Sequence, residues 1–143
     1  MTDRRLEPPG GDAAPTTGWL TDDEKLELAP LAQEVCRRYH SEFPDEEERY
    51  GSAGHAWCVH DNQHLLYWAT EAVHGYVDME EQVGWLARVL EARAFPLFRL
   101  ARNLDLAADV VREQVEAPPG DALGDALARA AEFVRSRETF LTL

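Results

Sequence analysis

The stretch that decides the fold runs from Trp57 to His74 and reads WCVHDNQHLLYWATEAVH. It holds one of the two cysteines and most of the five histidines of the chain. None of its residues is a strong helix breaker, and Gly75, which follows at once, is the usual residue just past a helix end. We therefore predict a central helix that begins near His55 and ends at His74.

At about 100° per residue, this helix has one apolar face. The face is formed by Trp57, Cys58, Asp61, Leu65, Trp68, Ala69 and Ala72. Asp61 lies near its middle, where an ionised carboxylate is costly unless partners donate hydrogen bonds to it. His60 and His64 flank the face, whereas Leu66 and Thr70 point away from it. The partner of Asp61 is then either an arginine or helix-terminal amides of a neighbouring helix, or a ligand with several N–H groups.

The composition indicates one all-α domain. The chain has 143 residues, no isoleucine, and many alanine, leucine, glutamate and arginine residues, which suits helices and gives enough length for a core. The formal net charge of -13 argues against nucleic-acid binding through the bulk surface. No apolar run is long enough to span a membrane. Cys36 and Cys58, without a secretion signal, indicate a reducing cytoplasm.

The chain order predicts about six helices after an N-terminal tail. Residues 1–18 are rich in proline, glycine and small polar residues and are predicted to be a disordered tail, with the domain over residues 19–143. A capping-box pattern over residues 21–24 predicts a helix start, with Pro30 either kinking that helix or starting a second one. The expected architecture is a globin-like layered fold or an irregular bundle.

The later helices are marked by caps and prolines. Asp78 with Glu81 predicts the start of one helix, Pro96 its break, and Asp121 the start of the last helix. The long helix between Pro96 and the turn at residues 118–120 carries a stripe of buried side chains. That stripe is predicted to consist of Leu97, Leu100, Leu104, Ala107, Ala108 and Val111.

Three kinds of chemistry are disfavoured by the sequence. The residues present argue against heme binding, because no histidine follows His74 to act as proximal ligand. His60 and His64 lie one turn apart, but Glu71 is too far along the helix to share a metal ion with both of them. Cys58 points away from both histidines, which argues against a cysteine nucleophile. We therefore predict no metal site and no catalytic residue.

A fourth interpretation takes Cys58 and Asp61 together. The C-x-x-D spacing places a thiol and a carboxylate one helical turn apart, with Trp57 and Trp68 beside them. The pattern resembles the chromophore helix of phycobiliproteins, the light-harvesting members of the globin superfamily. The resemblance implies that Cys58 lies near, or is joined to, a linear tetrapyrrole (bilin) such as biliverdin, and that Asp61 accepts hydrogen bonds from its pyrrole N–H groups.

The remaining candidate ligand contacts follow from that resemblance. Trp57, Tyr67 and Trp68 are expected to wall the pocket, because a conjugated plane packs on aromatic rings. The propionates of the pigment are expected to pair with His60, His64, Arg88 and Arg93. At position 60, light-harvesting proteins usually carry arginine and this chain has histidine.

The residues downstream, from His64-Leu65 through Trp85-Leu86-Ala87 to Arg93 and Pro96, are also similar to the non-heme globins called photoglobins. This resemblance implies photosensing, and cooperation with a cobalamin-dependent light-responsive regulator. Cobalamin itself is a second cofactor to consider. The alternative is a cofactor-free globin-like signalling module of the stressosome-sensor type. Both interpretations predict a non-enzymatic protein with a regulatory partner and self-association.

Overall fold

A computed structural model of the chain describes residues 13–141. These residues form five α-helices behind a short β-hairpin, and the all-α prediction is confirmed. The elements are β1 (Thr17–Trp19), β2 (Lys25–Glu27), α1 (Leu28–Glu42), α2 (Asp45–Val73), α3 (Met79–Ala92), α4 (Leu97–Gln114) and α5 (Pro119–Arg135). Because α2 is interrupted at Gly51, the described part of the chain has six helical segments, close to the predicted number.

The N-terminal hairpin was not predicted. Residues 1–12 of the expected tail lie outside the described residues, but Thr17 and Gly18 belong to a strand that pairs antiparallel with β2. The predicted helix start at residues 21–24 is wrong, since this segment is the turn of the hairpin and Asp23 N–H donates to Thr21 Oγ1 at 3.2 Å. A helix through this turn would place Pro30 in its interior, where the ring removes a hydrogen bond and clashes with the preceding turn.

Helix α1 begins at Leu28, so Pro30 falls in its first turn, where a missing N–H costs nothing. The helix buries the stripe Leu28, Leu31, Ala32, Val35, Cys36 and Tyr39. The sequence predicted either a kinked helix or a helix that starts near Pro30, and the structure has the helix start.

Helix α2 is longer than predicted because it begins at Asp45. Gly51 breaks it with φ of 64°, a left-handed conformation that glycine adopts readily. At the other end, Gly75 has φ of 79°, and its N–H donates to Ala72 while Tyr76 N–H donates to Glu71. This is a Schellman cap, and it confirms the predicted stop at Gly75.

The buried face of α2 is rotated from the predicted one. Leu66 and Thr70, which were expected to point outward, are each about 2% exposed. The hairpin covers this side, because Gly18 lies against Thr70 and Gln63 Nε2 donates to Pro15 O at 3.0 Å. The buried part of the helix surface therefore extends from Leu65 and Ala69 of the predicted face to Leu66 and Thr70 under the hairpin.

The last three helices confirm most of the predicted features, with one boundary corrected and Leu97 of the α4 stripe only partly buried. Asp78 caps α3 by accepting from the N–H groups of Glu80 and Glu81, as predicted. The α4 stripe is confirmed at Leu100, Leu104, Ala107, Ala108 and Val111, which are buried. Helix α5 begins at Pro119, so Asp121 lies in its first turn and is not its N-cap.

All five helices contribute leucine, valine or alanine side chains to one core. Within the described residues, no helix combines the length and the apolar character needed to cross a membrane.

Candidate functional site

A cavity of about 70 Å³ lies between α1, α2, α3 and the start of α4. One wall comes from α1 and the first half of α2, and the other from α3 and the link to α4. Its polar lining residues are Tyr39, Glu46, Tyr50, Trp57, Asp61, Asn62, Arg93 and Asn103, and its apolar lining includes Leu65, Leu86, Leu90, Phe95 and Leu100. It is an apolar cleft with a few convergent polar groups, the usual composition of a small-molecule site.

The carboxyl group of Asp61 lies in the lining of this cleft, where its pKa is shifted. The Asp61 side chain is 17% exposed to solvent, and His60 Nδ1 lies 3.5 Å from Asp61 Oδ1. Burial raises the pKa of Asp61, and the smaller effects of His60 and of Arg93 oppose that rise. The predicted position of Asp61 in the middle of a packing face is therefore corrected to the lining of a cavity, where burial still penalises its charge.

Arg93 lies at the same end of the cleft. Its guanidinium is 5.9 Å from the centre of the Trp57 ring, within the range of a cation–π contact. It also favours the ionised form of Asp61 electrostatically. Of the two partners expected for Asp61, an arginine of a neighbouring element is thus present nearby, and space for a small ligand is present as well.

Two hydrogen-bond donors at this cleft are buried without an acceptor among the described residues, namely Tyr39 Oη and Trp57 Nε1. Burial raises the pKa of Tyr39, and the nearby carboxylate of Glu46 raises it further. The hydroxyl does not form a hydrogen bond of ordinary geometry with Glu46, which is instead paired with Arg99. Buried donors without acceptors are costly, and acceptor atoms of a ligand would satisfy them.

Cys58 also lines the cleft, but it is not a free thiol. A disulfide joins it to Cys36 on α1, with the two Cα atoms 5.9 Å apart. The sequence predicted two reduced cysteines, and that prediction is wrong for this structure. The prediction of a reducing cytoplasm rested on the same two residues and loses that support.

The remaining predicted contacts lie beside the cavity, not in its lining. His60, His64, Trp68 and Trp85 form a row of rings along α2 and onto α3, with successive centroids 4.7, 5.7 and 6.4 Å apart. Tyr67 Oη instead donates to Glu71 Oε1 at 3.2 Å.

Arg88 is exposed on α3. The structure therefore brings Trp57, Cys58, Asp61 and Arg93 to the cleft, sets His60 next to Asp61, and leaves Tyr67 and Arg88 outside the lining.

The sequence did not identify several lining residues. Tyr39, Phe95 and Asn103 come from other elements, whereas Glu46 and Tyr50 lie in the part of α2 before the Gly51 break, which is outside the predicted central helix. The disulfide had a signal, since Cys36 and Cys58 both lie on apolar stripes of helices joined by a short link. Two such helices pack side by side and bring the cysteines together.

Searches of protein-family models, of curated proteins and of solved structures found no match to this chain. Within the described residues, no group of three or more His, Cys, Asp or Glu side chains is placed to bind a metal ion.

Proposed function

We propose that this chain binds a linear tetrapyrrole such as biliverdin and acts as a photosensory or ligand-sensing protein, without catalytic activity of its own. The observation that carries the proposal is the Asp61 carboxyl group in the lining of an apolar cleft, with its pKa raised by burial. A carboxyl in such a place gains most from a ligand that presents N–H donors to it.

The polar groups around Asp61 match the chemistry of a bilin. Its pyrrole N–H groups need an acceptor, which Asp61 supplies. Its carbonyl oxygens accept hydrogen bonds, and Tyr39 Oη and Trp57 Nε1 are buried donors with no acceptor in the part of the chain that the structure describes. Its propionates need cations, and Arg93 borders the cleft. Each polar group whose burial in the cleft is costly therefore has a group on the pigment with which it can form a hydrogen bond.

The size of the cleft sets a condition on this proposal. Its 70 Å³ is far below the roughly 300–1,000 Å³ of pockets that enclose drug-sized ligands. A tetrapyrrole therefore requires one wall to move outward. The segment with the Gly51 break and the non-helical residues between α3 and α4 are the parts of the two walls that lack continuous helical hydrogen bonding.

The disulfide sets a second condition. A thioether between Cys58 and a pigment needs a free thiol, so covalent attachment and the Cys36–Cys58 bond exclude each other. In the disulfide form, the proposal is a noncovalent pigment held by Asp61 and its neighbours. A thioether forms only after reduction.

Because the role proposed for this chain is to bind a ligand and not to catalyse a reaction, its signal has to pass to a partner protein. The proposal includes a regulatory protein partner, self-association, and cooperation with a cobalamin-dependent light-responsive regulator. A cytoplasmic location also belongs to the proposal, and there the disulfide would face reducing thiols.

The experiment is an absorption spectrum of the protein purified from cells supplied with biliverdin, with cobalamin, with both or with neither. The proposal predicts a visible band with biliverdin that stays with the protein through gel filtration and changes on illumination. Asp61→Asn should shift or bleach this band, whereas Asp109→Asn, on the exposed side of α4, should leave it unchanged. A colourless protein under every supply would contradict the proposal.

The second candidate is a cofactor-free signalling module, and the small cavity volume favours it. A cleft of this size holds a few water molecules, and Arg93 offers Asp61 electrostatic stabilisation without any ligand. A colourless protein whose oligomeric state changes with concentration would support the module over the pigment protein.

A further inference from the structure

The Cys36–Cys58 disulfide closes the segment that forms one wall of the cleft. The two cysteines are 22 residues apart, and the residues between them include Tyr39, Glu46, Tyr50, Gly54 and Trp57 of the lining. The segment covers the end of α1, the link and the first part of α2 with its break at Gly51. One covalent bond thus restrains both ends of this wall.

Ion pairs attach the α1 end of this wall to α4. Arg38 pairs with Glu113 and Arg102 with Glu42, and Arg99 at the start of α4 pairs with Asp45 and Glu46, next to the link between α1 and α2. From there to Cys58 the chain contains the Gly51 break, and a side chain at that glycine would meet nothing within 4 Å. The disulfide is therefore the fixed point at the far end of the part of this wall that follows Glu46 and contains the Gly51 break.

The Cys58 side of the bond is the more exposed one. Cys36 is fully buried, whereas Cys58 is partly exposed and lines the cleft. An attacking thiolate therefore meets the Cys58 sulfur first, and the Cys36 sulfur is the leaving group. Behind the sulfurs, Asn62 Nδ2 lies 3.5 Å from each of them.

We propose that the Cys36–Cys58 pair is a thiol-redox control of this wall: the disulfide holds the cleft closed, and its reduction allows the wall between the two cysteines to open. The reductant is a low-molecular-weight thiol such as glutathione. Two R–SH molecules are oxidised to one R–S–S–R, the protein S–S bond breaks, and one proton goes to each cysteine sulfur. Oxidation by R–S–S–R is the reverse exchange.

The inference about the wall stands on the disulfide and the lining residues alone, and its consequence for ligand binding rests on the proposed function. A tetrapyrrole needs a wall to move, so the reduced form should bind it more tightly than the disulfide form. The two statements can be measured separately.

The test uses the full chain in two states, oxidised with glutathione disulfide and reduced with dithiothreitol, and compares backbone hydrogen exchange by peptide mass spectrometry. The control is Cys36→Ala/Cys58→Ala, which cannot form the bond and should exchange alike in both buffers. We expect exchange over residues 45–57 to be about tenfold slower or more in the oxidised form, with peptides from α4 unchanged. Biliverdin should bind about tenfold tighter to the reduced form.

Every outcome decides a claim. If the oxidised protein does not lose the mass of two hydrogen atoms, or if residues 45–57 exchange equally in both states, the redox control is overturned. If exchange differs but biliverdin binds both states equally, the control of the wall is supported and its consequence for ligand binding is overturned. If exchange differs as expected and biliverdin binds neither state, the control of the wall is supported and the proposed function fails.

Discussion

Asn62 on α2 and Asn103 on α4 hold each other through two reciprocal amide hydrogen bonds, at 3.1 and 2.9 Å. Both side chains are buried, and both line the cleft beside Asp61. A polar pair in a core is satisfied only at one alignment of its two helices. This pair therefore fixes the register of α2 on α4, and with it the direction in which Asp61 points.

The first prediction concerns this pair. Asn103→Leu should lower the free energy of unfolding by about 2 kcal/mol, because it removes the donor to the buried Asn62 Oδ1, while Asn62 Nδ2 still donates to the carbonyl oxygen of Cys58. The double variant Asn62→Leu/Asn103→Leu should lose less than the sum of the two single variants, since no orphaned amide remains. Urea unfolding measures all three variants, and additive losses would show that the two amides do not act as a pair.

The second prediction concerns Asp61. Because its pKa is raised on folding, the native state holds the proton more tightly, and stability falls as the pH rises from the ordinary carboxyl range through the raised pKa. Asp61→Asn removes this cost, so it should raise the free energy of unfolding at neutral pH by about 1 kcal/mol. At acid pH the gain should vanish.

Unfolding in urea across this pH range measures the gain, with Asp109→Asn as the matched control. A variant that is less stable than wild type at neutral pH would mean that Asp61 is held by a stabilising partner.

The third prediction concerns acid stability. Hydrogen bonds from Arg37 and Arg38 lower the pKa of Glu34 to about 2 from 4.5. A lowered pKa contributes stability that is present above the ordinary value and is lost as the pH falls towards the lowered one. Between these two pH values, Glu34→Gln should therefore lose less unfolding free energy than wild type. The difference should be small, as expected of solvent-screened ion pairs.

Arg38 also binds Glu113 of α4, so wild type should lose part of the α1–α4 attachment in the same window. Glu116→Gln, at an exposed position past α4, serves as the control. Identical acid unfolding curves for wild type and Glu34→Gln would contradict the prediction.

The fourth prediction tests how the hairpin packs on α2. A Cβ at position 18 would lie 2.8 Å from Thr70 Oγ1, closer than packed atoms allow. Gly18→Ala should cost about 1–3 kcal/mol, and Thr70→Ala should recover part of that loss by removing the atom in conflict. Thermal unfolding of the two single variants and the double variant gives the comparison. An unchanged melting temperature for Gly18→Ala would mean that the hairpin does not sit on Thr70.

Features of the fold that depend on one or two helical turns were predicted correctly from the sequence. Asp78 capped its helix, Gly75 ended α2, and the α4 stripe from Leu100 to Val111 was buried, because caps and periodic apolar residues act over one or two turns. The capping-box pattern at residues 21–24 failed for a tertiary reason. Pro30 is tolerated only in the first turn of a helix, so α1 begins at Leu28, and the preceding residues pair as a hairpin that packs against Thr70.

The site was predicted where it belongs to the central helix, and at Arg93, which follows α3. Trp57, Cys58 and Asp61 reach the cleft because a single helix places them on one face. Tyr39 and Asn103 were missed, since they arrive from helices whose packing the sequence does not specify. The disulfide was missed because a cysteine on an apolar stripe is equally well explained as a small core residue.

The measurement that tests the central claim most directly is an absorbance titration of biliverdin into purified wild type, Asp61→Asn and Asp109→Asn, each kept reduced. We predict saturable binding with a shifted visible band for wild type and Asp109→Asn. We predict binding weakened about tenfold or more, or a lost shift, for Asp61→Asn, because a charge-assisted hydrogen bond is removed. Equal binding and equal spectra for all three proteins would contradict the role of Asp61, and no saturable binding to any of them would contradict the pigment itself.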